Sequence, residues 1–133
     1  MRGVGKFGTL SATMTAMGLR ASHPSLPPTI ADALVELESR LREALGGRLR
    51  EVRLFGSVAR GEARADSDVD VLFVLDRLET SSDRRVPLDI AYDVGEAHGV
   101  LFQALVWAEA DFALHRLRET ALARALDQDG IVV

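Results

Sequence analysis

The chain has 133 residues, 27% of them charged, no cysteine and a formal net charge of −4, which fits one domain with a real core. Without cysteine there is no disulfide framework, thiolate metal site or thiol nucleophile, and no stretch of about 18 apolar residues offers a membrane span, so a cytoplasmic protein working away from membranes is expected. All 20 acidic residues but only 13 of the 16 basic ones lie from Asp32 onward, a net of −7 for that part; this excludes affinity for an extended nucleic acid, which comes mainly from neutralising phosphates, and favours a small substrate or a protein partner.

Residues 1–28 mix Gly, Ser, Thr and Met without period and end in Pro24-Ser25-Leu26-Pro27-Pro28, so they read as a flexible or disordered tail ahead of a domain spanning 29–133. Gly3-Val4-Gly5-Lys6 lacks the spacing of a phosphate-binding loop. From Thr29, a candidate cap, Ile30, Leu34, Leu37, Leu41 and Leu45 recur at helical spacing before Gly46-Gly47. Leu49 to Phe55 reads as a strand, and Val69 to Leu75 as a more apolar, central one. Ser82 to His98 predicts a helix with Val86, Ile90, Val94 and Ala97 inward and Gly99 as its stop. Val100 to Trp107 is a third strand, and one last helix capped by Asp111 carries Phe112, Leu117, Ala121, Leu122 and Leu126 before the apolar end Ile131-Val132-Val133. This alternation predicts an α/β (α+β) fold, a small mixed sheet of about three to four strands covered by helices on one face.

The stretch between the first two strands concentrates chemistry. Gly56 ends a strand where backbone must approach a ligand, and Ser57 opens a short turn whose unpaired N–H groups and hydroxyl suit phosphate oxygens. Arg60 follows one turn later with a planar fork for the same oxygens, and Gly61 lets the turn end abruptly. Asp68 and Asp70, two apart on a strand, leave the same face with Cα atoms roughly 6.5–7 Å apart, while Val69, Val71 and Phe73 take the buried face. Two acids so close repel unless a cation such as Mg²⁺ neutralises them. A lone Asp-x-Asp is a solvated strand face; the upstream Gly-Ser and Arg-Gly change that reading.

Gly56-Ser57, ten residues, then Asp68-Val69-Asp70, with Arg60-Gly61 and Ser67 in favoured places, resembles the polymerase-β-type nucleotidyltransferase superfamily and in particular its minimal members. The resemblance implies transfer of a nucleoside monophosphate, best guessed as AMP from ATP, to a hydroxyl. It places Gly56 and Ser57 on the β- and γ-phosphates, Asp68 and Asp70 on Mg²⁺ as the catalytic acids, and Arg60 as electrostatic support. Minimal members lack domains for a second substrate, which implies that the acceptor is a protein partner, often a HEPN-type toxin for which the nucleotidyltransferase is antitoxin. Active members carry a third acid on the neighbouring strand, where this chain offers Gln103; Asp89 and Glu96 fall on the preceding helix and Glu109 beyond the strand. Glutamine brings no charge and cannot act as a base, so a nucleotide-binding or protein-binding module without efficient transfer is the alternative.

Other polar residues have plainer readings. Ser57 also suits an N-cap and Arg60 an ordinary exposed position. His98 sits at a helix end, where positive charge is favourable, and His23 and His115 have no matching partner. Trp107 reads as a core or rim aromatic, Arg64 as surface, and Arg84-Arg85 as a solvated loop or helix start.

Overall fold

The computed structural model describes residues 15–63, 68–118 and 120–133. In chain order these form α1 (Ala16–Ser22), α2 (Pro28–Leu45), a 3-10 turn (Gly46–Arg48), β1 (Leu49–Phe55), the one-turn helix α3 (Gly56–Ala59), β2 (Val69–Leu75), α4 (Ser81–His98), β3 (Phe102–Ala108), α5 (Glu109–Leu117), α6 (Ala121–Asp129) and the short β4 (Ile131–Val132). The strands make one mixed sheet in the order β3-β2-β1-β4, with β1 antiparallel to β2 and β4 and β2 parallel to β3. Among the described residues no helix is long and apolar enough to cross a membrane.

The leucine stripe of α2 explains the larger core. Leu34, Leu37 and Leu41 are fully buried and meet Val69, Val71, Phe73 and Leu75 from the central strand, with Ala91 and Val94 of α4 closing the same side. Each leucine removed from water there contributes about 2 kcal/mol. The opposite face of the sheet carries a smaller cluster, in which Phe112 of α5 and Leu126 of α6 pack with Leu72 and Val74. That cover stops short of the Asp70 end of β2, where the face holds Phe55, Asp70, Gln103 and Leu105 beside open space.

Several boundaries differ from the periodicity, each for a local reason. Within the segment expected to be an unpacked tail up to residue 28, the described residues, which begin at Thr15, pack on the domain. Thr15 caps α1 by accepting from the Gly18 N–H, and Leu19 and Leu26 are 1% exposed in the main core, so two apolar anchors hold what composition alone reads as loose. The part of that segment before Thr15 lies outside the described residues. Pro27 rather than Thr29 occupies the cap position of α2, with Pro28 at the first helical position, where its missing N–H costs nothing. The single last helix is two helices: Thr120 accepts from the Ala123 N–H and restarts the chain as α6. Val86 and Ala97 face outward, whereas Pro87, Ala91, Val94 and Gly95 form the buried stripe of α4, which ends at Gly99 with φ 65°.

Candidate active site

Register puts the polar residues of interest in one row. Asp70 lies opposite Phe55 on β1 and beside Gln103 on β3, so a carboxylate on the central strand is flanked by an aromatic ring and an amide. Because side chains alternate along a strand, Asp70 shares its face with Leu72 and Val74 while Val69 and Val71 point into the main core. Asp68 is just before the strand, and its carboxylate accepts a hydrogen bond of 2.5 Å from the Gln103 amide.

The Gly56 turn faces the same place. Gly56 has φ 75°, and a Cβ built on it would overlap the Asp70 carboxylate, so only glycine lets the chain turn this close to that acid. Ser57 is the second residue of α3. The cap position belongs to Phe55, which makes no side-chain capping bond, so Ser57 does not take the expected capping role. The first-turn N–H groups of such a helix have no intrahelical acceptor. Arg60 ends the turn, paired with Glu62 at 3.3 Å, and Gly61 follows with φ 78°, as the abrupt stop requires.

Electrostatics single out Asp70. Burial and then the neighbouring charge of Asp68 push its carboxyl above the ordinary value, and the Arg60 guanidinium only partly offsets them. An acid held in this condition is relieved by a cation. Asp68 and Asp70 supply the oxygen donors that Mg²⁺ prefers, and among the described residues no group of three or more His, Cys, Asp or Glu comes together. A divalent ion between them would rest on two protein acids and fill its remaining positions with water and phosphate oxygens, as Mg²⁺ commonly does. A cavity of about 400 Å³ lined by Phe55, Asp70, Gln103, Ala104 and Leu105 adjoins the acids and is large enough for part of a nucleotide.

The structure thus brings Gly56, Asp68, Asp70 and Gln103 together, with Ser57 on the adjoining turn and Arg60 within electrostatic reach of Asp70. It separates the alternative third acids by element: Asp89 and Glu96 are on α4, and Glu109 opens α5. Ser67 and Arg64 lie outside the described residues. His98 meets Glu36 at 2.9 Å, and this bond holds the Glu36 carboxyl below its usual value against some burial. Trp107 packs against Phe112 and stacks on His115 with ring centres 4.2 Å apart, a structural role at the far end of β3. One role escaped sequence reasoning altogether: Arg84 reaches from α4 to the carbonyl of Val106 at 2.8 Å. No local pattern announces that bond, because it joins residues 22 apart across two elements.

The chain is similar to several known proteins. A putative protein adenylyltransferase of Methanocaldococcus jannaschii is 32% identical over 80 residues, covering 60% of this chain and 75% of the relative. The protein adenylyltransferase MntA of Thermococcus cleftensis is 49% identical over 43 residues, 32% of this chain and 41% of that protein. A solved toxin-antitoxin structure with AMP-PNP superposes with a TM-score of 0.49 at 17% identity, covering 73% of this chain and 69% of that one. Residues 34–123, which include both acids, the Gly-Ser turn and Gln103, match the nucleotidyltransferase domain family, and the chain belongs to that family.

Proposed function

We propose that this chain transfers AMP from ATP, with Mg²⁺, to a hydroxyl on a partner protein. The observation that carries the reading is the packing of Asp70 against Gly56, with Asp68 and Gln103 alongside, at the mouth of a cavity. Two relatives named as protein adenylyltransferases support the choice of acceptor class.

In this reading the N–H groups of the Gly56-Ser57 turn and the Ser57 hydroxyl hold the β- and γ-phosphates, and Arg60 offsets their charge. Asp68 and Asp70 hold the divalent ion, which when bound supplies positive charge against the triphosphate. The acceptor oxygen forms a bond to the α-phosphorus, the bond from that phosphorus to the bridging oxygen breaks, pyrophosphate leaves with the electron pair, and the hydroxyl proton passes to water. Gln103 cannot take that proton. The partner we infer is a HEPN-type protein in the same cytosol, with the present chain as its antitoxin.

Incubation with ATP labelled at the α-phosphate, Mg²⁺ and the product of the adjacent gene is expected to label that product with wild-type chain and not with Asp70→Asn. Absence of label from a folded, nucleotide-binding sample would overturn the reading. A second reading, a nucleotide-binding or protein-binding module without transfer, is favoured by one observation: an amide stands beside Asp70 where a third carboxylate would complete the acid set. It predicts that the wild-type chain binds partner and nucleotide but leaves the partner unlabelled.

A further inference from the structure

Among the described residues no strand pairs with the outer edge of β3. β3 is terminal in the sheet, and the Val69 N–H donates to the Leu101 carbonyl, so Leu101, Gln103 and Leu105 direct their backbone groups inward to β2. The intervening residues Phe102, Ala104 and Val106 therefore direct theirs outward. Arg84 takes the Val106 carbonyl from α4, which closes one end of this edge and leaves the N–H and C=O of Phe102 and Ala104 facing out. Capping an edge with a cation is a common way of restricting what can pair with it.

Beside that edge runs an apolar groove of about 510 Å³ between α4 and β3, with Leu88, Tyr92, Gly95, Leu101, Phe102 and Ala104 in its lining. Tyr92 and Leu101 are 59% and 63% exposed, high for large apolar side chains. Ala104 lines both this groove and the cavity beside Asp70. The two spaces lie on opposite faces of the sheet and meet at the β3 edge.

A strand added to that edge has to serve both spaces. Side chains opposite Phe102 and Ala104 project on the groove side, and the residue between them projects on the side of Gln103, Asp68 and Asp70. We propose that the acceptor is a polypeptide bound as an extended strand on the Phe102–Ala104 edge, with a hydroxyl-bearing residue over Gln103 and apolar residues immediately before and after it seated in the α4–β3 groove. Backbone pairing gives such docking its affinity, and the alternating pockets give it selectivity. The chemistry is the transfer already written: the acceptor oxygen gains the nucleoside monophosphate, pyrophosphate leaves and the proton passes to water. The inference rests on the reading of transfer to a protein hydroxyl.

The test uses the full chain with Mg²⁺, labelled ATP and synthetic peptides of about ten residues, each with one central hydroxyl residue whose two neighbours are either both apolar or both aspartate. Apolar-flanked peptides are expected to take up label at least about tenfold faster, and Leu101→Arg is expected to lower that rate about tenfold with affinity for a fluorescent ATP analogue unchanged. Should Leu101→Arg fail to fold, Tyr92→Arg, at an exposed position of the groove outside the cavity beside Asp70, replaces it and carries the same expectation. Equal labelling of both peptide classes, or wild-type rates in the folded variant, would overturn the proposal and leave the transfer reading standing. Blank peptides with a labelled partner protein overturn the docking mode; a blank partner as well overturns the transfer reading beneath it.

Discussion

Gly56 and Asp70 are pressed together so closely that a single methyl group on the glycine would lie 2.2 Å from an Asp70 carboxylate oxygen, well inside contact distance. Gly56→Ala therefore meets both a steric overlap and a backbone at φ 75°, where an L side chain is strained. The expected cost is about 1–3 kcal/mol of stability, read by urea denaturation, with loss of nucleotide affinity because the turn is displaced from the acid. Wild-type affinity in this variant would remove the turn from the phosphate-binding role.

Asp70 is the second test. Its proton is held more tightly in the folded chain than in the unfolded one, first because of burial and then because of Asp68. The stability this represents is complete below about pH 3.9, the usual carboxylate value, and is lost as the pH rises through the raised folded value. Asp70→Asn is accordingly expected to melt several degrees higher than the wild type at pH 7 without metal, the gap closing near pH 3. Mg²⁺ with ATP should raise the wild-type melting temperature and leave the variant unmoved in differential scanning fluorimetry.

Gln103→Glu adds a third carboxylate beside the pair. Repulsion predicts a lower metal-free melting temperature, and the added donor predicts tighter Mn²⁺ binding, by about tenfold, followed by electron paramagnetic resonance of the free ion. Faster transfer in the same variant would show that the amide limits the wild-type rate, whereas unchanged Mn²⁺ affinity would place residue 103 outside the ion's reach.

Arg48 supports the fold at the opposite end of the sheet. Its guanidinium bonds Asp76 at 3.0 Å, Asp83 at 2.9 Å and the Arg77 carbonyl at 2.9 Å. Asp83 is held well below the usual carboxylate range, first by Arg48 and then by the N–H groups of Glu79 and Thr80; Asp76 is lowered too, against its burial, by the Arg77 N–H and Arg48. Such lowered carboxyls contribute stability that is present above their unfolded pKa and lost as pH falls through the folded values. Arg48→Met should flatten the acid side of the stability profile below about pH 4 and lower the melting temperature at pH 7, measured by circular dichroism.

Leu19→Ala tests whether α1 belongs to the domain. Leu19 is 1% exposed, and truncating a leucine in a core typically costs about 2–5 kcal/mol. A cost below about 0.5 kcal/mol, the range of ordinary surface substitutions, would mean that α1 is not docked in solution.

The parts of the fold legible in the sequence are those set by short-range patterns. The period of two separated Val69, Val71 and Phe73, which face the main core, from Asp70, but not the burial of Leu72 and Val74 on the acid's own face under Phe112 and Leu126; Gln103 stood out as the polar residue of an apolar strand. What escaped is set by contacts between distant residues. Leu19 and Leu26 sit in a segment that composition reads as loose, and only docking on the core shows them to be anchors. The break between α5 and α6 has no glycine or proline to announce it; Thr120 makes it, and Phe112 and Leu126 can then both reach the same sheet face. Arg84 looked solvated because its acceptor, the Val106 carbonyl, is on another element.

The ring stack between Trp107 and His115 turns this protein into its own optical instrument. Trp107 is the sole indole of the chain, and its ring lies nearly parallel to the imidazole, at 7°. Emission from one fluorophore therefore reports whether α5 is seated on the sheet, without any dye or label attached.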